Sequence, residues 1–239
     1  MSVAISGYSQ LSTEDKHRIG NFVQDVPMGQ MDLGAIKHSD LVTLQKLLTP
    51  KTTKYIPHVP TPKQSAFLLL NCKEAFYGGA AGGGKSDALL MCGLQYVDVK
   101  GYSGIIFRKT YADLVKPGAL IDRAKDWLLK YPEVRWNEKE KKFEFYTDAT
   151  KKELISVLQF GYLENANDKY NYQGGEYQFI GFDELTHIDA ASYRYMFSRL
   201  RRLKGTEVPL RVRGASNPPD DDNGIWVKNR FIDEGPAKG

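Results

Sequence analysis

Residues 76–86 read Phe-Tyr-Gly-Gly-Ala-Ala-Gly-Gly-Gly-Lys-Ser. From Gly79 to Ser86 they satisfy G-x-x-x-x-G-K-[ST] without a mismatch, after an apolar run at Ala75, Phe76 and Tyr77 and before a helix-like one at Ala88, Leu89, Leu90 and Met91. The order strand, glycine-rich loop, helix is what a triphosphate cradle requires. Backbone N–H groups can close on phosphate oxygens only where no Cβ intervenes, and Gly79, Gly82, Gly83 and Gly84 permit that approach around Ala80 and Ala81. The helix opening near Lys85 adds its N-terminal amides and positive dipole end. On this reading Lys85 reaches the β- and γ-phosphates, and the Ser86 hydroxyl takes one position on Mg²⁺. The alternative, a surface loop with a solvated Lys85, does not require the elements to come in this order.

Upstream, Thr61-Pro62-Lys63-Gln64 starts an amphipathic helix carrying Ala66, Phe67, Leu69 and Leu70. The amide of Gln64 offers both a donor and an acceptor, which suits the edge of adenine; a solvated glutamine at a helix start is the plainer reading. Downstream, Lys85 to Val97 is expected as a helix and Ser103 to Phe107 as a buried strand, with Arg108 just beyond it. Carboxyl ends of parallel strands face the ligand crevice, so Arg108 is placed either to meet phosphate or DNA or to cap a strand at the surface. Pro117 suits the first turn of a helix running through Ile121, Ala124, Leu128 and Leu129. The alternation from Lys142 to Tyr162 predicts an antiparallel hairpin inserted between core elements, and Glu164 to Gly175 has the composition of a mobile loop.

Tyr177 to Phe182 is an apolar strand that ends in Asp183 and Glu184. An acid pair about 100 residues after the glycine loop reads as a metal-holding Asp183 and a water-polarising Glu184. Kinases and GTPases with this loop usually lack the second acid. A helix over 189–203, N-capped by Asp189, carries Arg199, Arg201 and Arg202 near its end. That cluster is either a solvated helix end or a group of cations projecting onto DNA or a neighbouring subunit's site. A strand over 208–214 then delivers Ser216 and Asn217, polar residues placed to sense the γ-phosphate, and a short helix is expected over 226–232.

The 239 residues allow one large α/β domain: an N-terminal extension over 1–60 with a weak helical pattern at Leu41, Leu44, Leu47 and Leu48, a main domain over 61–232, and a linker start over 233–239. The net charge of +4 leans towards a polyanionic partner. No apolar run is long enough to span a bilayer, so no membrane partner is expected. Cys72 and Cys92 are expected as free thiols.

Taken together, Gln64, Gly79 to Ser86, Phe182-Asp183-Glu184-Leu185-Thr186, Ser198-Arg199-Leu200-Arg201, Ser216-Asn217-Pro218 and Trp226 to Ile232 resemble the ATPase domain of tailed-phage terminase large subunits. The resemblance implies a RecA-like P-loop ATPase of the additional-strand, catalytic-Glu class, with a mostly parallel sheet flanked by helices. It implies ATP and Mg²⁺ as cofactors, double-stranded DNA as the substrate that is moved, and assembly into a ring, usually a pentamer. The portal protein and the small terminase subunit would be further partners, in the host cytoplasm at the procapsid. Two departures leave the arginine of the site open. Many members carry one in the loop, where this chain has Ala81, and others carry one before the acid pair, near Gln173. Arg199 or Arg201 acting on a neighbouring subunit is the favoured assignment, with Arg108 in its own chain as the alternative. Members also continue into a nuclease; Gly235-Pro236-Ala237-Lys238 reads as a linker start, so an ATPase domain without nuclease activity is expected. A single-strand helicase or recombinase ATPase, and a module that binds nucleotide only to assemble, are the competing readings.

Overall fold

The computed structural model describes residues 50–70, 72–219 and 222–233. The leucine pattern at 41–48, Asp220, Asp221 and the stretch 235–238 lie outside them. In chain order the main elements are α1 (Pro62–Leu69), β1 (Glu74–Gly78), α2 (Lys85–Leu94), β2 (Ser103–Arg108), α3 (Tyr111–Val115), α4 (Leu120–Leu128), β3 (Val134–Asn137), β4 (Lys142–Tyr146), β5 (Leu154–Tyr162), β6 (Phe179–Asp183), α5 (Ala190–Met196), β7 (Arg211–Ser216) and α6 (Ile225–Lys228). They build one seven-stranded sheet of order β1-β7-β6-β2-β5-β4-β3. The first five strands in that order are mutually parallel, and β4 and β3 close the sheet as an antiparallel meander on β5.

Parallel strands are covered on both faces, which explains why β6 and β7 are buried along their whole length. On one face α2 packs through Leu89, Leu90, Met91 and Leu94; on the other α5 packs through Tyr193 and Met196. Register brings four strand ends to one edge: Gly78 lies beside Ser216, Ala215 beside Asp183, and Phe182 beside Phe107, the residue before Arg108.

Charge enters this core through β7. Arg213 is fully buried and donates to the carbonyls of Leu70, Cys72 and Val212 at 2.6, 3.0 and 2.9 Å. Arg211 donates to Gln95 Oε1 and to the Cys92 carbonyl. The pair pins the ends of α1 and α2, where unpaired carbonyls and the negative dipole end favour cations. Burial first, and the neighbouring Arg211 second, bring Arg213 down to about 10. Cys72 and Cys92 are free, as expected.

Several boundaries differ from the sequence reading. Pro117 does not open a helix: Gly118 turns at φ 74° with its N–H given to Asp122, and α4 starts only at Leu120. The hairpin is part of the main sheet rather than an insertion, because β5 pairs with β2, and it gains a third strand, β3. The stretch 164–175 holds a 3₁₀ turn, Asp168–Tyr172, whose Tyr172 packs edge-on against Phe107. The expected helix over 189–203 ends at Met196 with a further 3₁₀ turn to Arg199. Leu200 then bridges Tyr177 in parallel β fashion. The spacing Tyr193, Met196, Leu200 imitates a helical stripe, but Leu200 is buried by pairing with the sheet.

Candidate active site

The glycine loop leaves β1 and turns back into α2 with Gly82 at φ 79° and Gly84 at φ 68°, a left-handed region that L side chains rarely adopt. A Cβ on Gly84 would also stand 2.7 Å from the Gln64 amide nitrogen. Gly79, Ala80, Ala81, Gly82 and Gly83 are exposed, so their backbone is open to a ligand. Lys85 is held across the loop: its ammonium donates to the carbonyls of Gly79 and Ala80 at 3.0 and 2.7 Å and to Asn217 Oδ1 at 2.9 Å. Those three acceptors hold the cation over the cradle without neutralising it.

One turn on, the Ser86 hydroxyl donates to Asp183 Oδ1 at 2.9 Å. Asp183 is almost wholly buried, and burial pushes its carboxyl above the ordinary range against the opposing pull of Arg108 and Ser86. Its other oxygen, Oδ2, lies 2.9 Å from Arg108 Nε. That contact is an ion pair without hydrogen-bond alignment, since both atoms are buried and neither has a hydrogen-bond partner. A buried carboxylate oxygen without a hydrogen bond, beside a hydroxyl one turn into the loop helix, fits the donor set of a hard divalent cation.

Glu184 follows in a left-handed conformation, φ 51° and ψ 51°, a strained backbone for a non-glycine residue. The turn aims its carboxylate away from the strand, so that Arg108 Nη2 stands 3.5 Å from Oε1. The conformation is supported from β7, where the buried Ser216 hydroxyl meets Thr186 Oγ1 at 2.7 Å. Ser216 therefore braces the acid turn, while Asn217 contacts Lys85. Arg108, Glu184, Thr186, His187 and Asn217 line a cleft of 360 Å³ beside the loop.

Not every expected residue meets here. Gln64 is 2% exposed and both ends of its amide are engaged, Oε1 accepting from Thr61 N–H and Nε2 donating to the Gly84 carbonyl. It ties α1 to the loop instead of facing a base. Gln64→Ala is therefore expected to weaken ATP binding about three- to tenfold, the scale of one lost hydrogen bond, with the preference for ATP over GTP changed by less than about threefold. Competitive binding of the two nucleotides checks this; a change in preference above about tenfold would restore Gln64 as a reader of the base.

Arg199 and Arg201 lie at the opposite end of the sheet. The Tyr177 N–H donates to the Arg199 carbonyl and the Arg201 N–H to the Tyr177 carbonyl, each at 3.0 Å. Tyr177 precedes Asp183 by six residues, roughly 20 Å along a strand. Arg201 sits in an extended stretch, not on a helix, and any role for the pair in hydrolysis has to be exerted on a neighbouring subunit. Sequence reasoning missed the Thr186 brace and the contact of Arg108 with both acids. The signal for the second was present, because a strand end next to Asp183 in the sheet is within reach of it.

A family profile described as terminase large subunit, T4likevirus-type, N-terminal, matches residues 76–233. No curated protein matches the sequence significantly. Among solved structures, the large terminase of bacteriophage HK97 is 13% identical with a TM-score of 0.54, over 72% of this chain and 37% of that one. The large terminase ATPase domain of Thermus phage P74-26 is 16% identical with a TM-score of 0.47, over 71% and 68%. The large terminase of a thermophilic bacteriophage is 14% identical with a TM-score of 0.47, over 60% and 33%. The first of these likenesses supports the fold alone, and this chain spans about a third of the length of the last protein.

Proposed function

The chain belongs to the terminase large subunit family, in its T4likevirus-type N-terminal part, and from that premise we propose that it is the ATP-hydrolysing motor domain that drives double-stranded DNA into a procapsid. The observation that carries the enzymatic half is the Ser86–Asp183 contact, which joins two motifs 97 residues apart at the mouth of the glycine loop. The position of β7 between β1 and β6 supports the finer placing in the additional-strand, catalytic-Glu class.

Ser86 and Asp183 would hold Mg²⁺, which when bound supplies positive charge to the phosphate oxygens. The loop amides and Lys85 bind and orient the triphosphate. Glu184 orients a water on the γ-phosphate side. The water oxygen bonds to the γ-phosphorus as the bond from that phosphorus to the β–γ bridging oxygen breaks, and the proton passes from water to the Glu184 carboxylate and on to the products. Asn217, touching Lys85, and Ser216, bracing the acid turn, couple the end of β7 to the phosphates. A ring of subunits, DNA, the portal protein and the small subunit complete the proposed setting, in the host cytoplasm at the procapsid.

Stimulation of ATP hydrolysis by nucleic acid separates this reading from its rivals. Duplex DNA is expected to raise the turnover of the purified chain more than single-stranded DNA of the same length does. Greater stimulation by single strands favours the helicase or recombinase reading, and turnover no higher than that of Glu184→Gln favours an assembly module.

A further inference from the structure

We propose that Arg108 is a two-position switch: in the nucleotide-free chain it lies across Asp183 and Glu184, and with Mg·ATP bound it turns to the γ-phosphate of its own chain's site. The proposal rests on the ATPase reading above. Arg108 ends β2, the strand paired to β6, so its guanidinium reaches the acid edge from the adjacent strand. Its side chain is 19% exposed and makes three contacts: Nε with Asp183 at 2.9 Å, Nη2 with Glu184 at 3.5 Å, and Nη1 donating to the Asp113 carbonyl at 2.6 Å.

Two adjacent carboxylates at a largely buried strand end repel each other, and a guanidinium between them removes that cost. These are the acids assigned to the metal and to the attacking water, so the resting position blocks both roles. A divalent cation on Asp183 makes the guanidinium redundant there, while the incoming triphosphate offers oxygens that a planar fork binds better than it binds a misaligned carboxylate. The lack of a hydrogen bond between Nε and Oδ2 makes the resting contact easy to exchange.

The other cations near the site are committed. Lys85 is held by two loop carbonyls and Asn217, and Arg123 is paired with Asp87. The switch also has an output. Asp113, whose carbonyl Arg108 holds, accepts from Thr110 and pairs with Lys116, so departure of the guanidinium frees one anchor of the whole 110–116 segment.

The test measures Mn²⁺ binding to the nucleotide-free full chain by electron paramagnetic resonance, and ATP turnover separately, for wild type, Arg108→Ala and Arg108→Lys. Arg108→Ala is expected to bind Mn²⁺ at least about tenfold more tightly, because two carboxylates lose their neutralising charge. Its turnover is expected to fall by about 10³ or more, the scale of a lost arginine at a phosphoryl-transfer site. The two quantities thus move in opposite senses, which a merely structural arginine would not produce. If the alanine variant does not fold, Arg108→Lys carries the test, since lysine keeps the charge but not the fork: turnover should still fall at least about tenfold, with Mn²⁺ bound at least about threefold more tightly. Unchanged or weaker Mn²⁺ binding overturns the resting position, and turnover within about threefold of wild type overturns the phosphate contact. Absence of hydrolysis in the wild type counts against the ATPase reading, whatever Arg108 does to Mn²⁺.

Discussion

Replacing Lys85 by alanine is expected to abolish ATP hydrolysis and to weaken nucleotide binding by at least about tenfold, the lower end of what a charge-assisted hydrogen bond contributes. The ammonium is the one cation that the glycine loop itself carries, and the structure holds it 9% exposed on the carbonyls of Gly79 and Ala80. Removing it leaves the β- and γ-phosphates facing loop amides without a full positive charge, and leaves the Asn217 amide oxygen without its donor. Binding is read by titrating a fluorescent ATP analogue, and turnover by phosphate release. Hydrolysis within about threefold of wild type would remove Lys85 from the role assigned to it.

Glu184→Gln is expected to do the opposite to binding and nearly the same to chemistry. The amide has the size of the acid and can still touch Arg108, so nucleotide affinity should stay within about threefold. It cannot take a proton from water, and turnover should fall by about 10² to 10⁴, the usual contribution of a positioned general base. The left-handed backbone at Glu184 strengthens the expectation, because strain at one residue of an otherwise regular strand end is maintained only by its surroundings. Those surroundings are the Ser216–Thr186 contact and the buried Leu185 behind it. Loss of ATP binding together with turnover would make Glu184 a structural residue or a metal ligand instead.

The parts of the site that sequence made legible are those encoded by contiguous residues. Gly79 to Ser86 carries its own conformation, since left-handed positions fall on glycines, and an apolar strand ending in Asp183-Glu184 announces where the acids emerge. Sheet order was legible only in outline: alternating helix and strand imply parallel pairing, but nothing local says that β7 inserts between β1 and β6. Side-chain destinations were the least legible. Gln64 looked available to a base because composition does not reveal that Thr61 and Gly84 already use both ends of its amide. Arg199 and Arg201 looked like a projecting helix end because Leu200 keeps helical spacing while pairing with Tyr177. Arg211 and Arg213 have the charge of surface residues and the burial of core ones, since carbonyls at the ends of two helices accept their hydrogens.

The central claim is that this chain hydrolyses bound ATP through Asp183 and Glu184. Phosphate release from Mg·ATP by the purified 239-residue chain, with and without a chelator and beside Glu184→Gln, tests it most directly. The account predicts release that stops when the metal is chelated and that exceeds the variant's by about 100-fold or more. Equal rates in the two proteins, or release indifferent to the chelator, would contradict it.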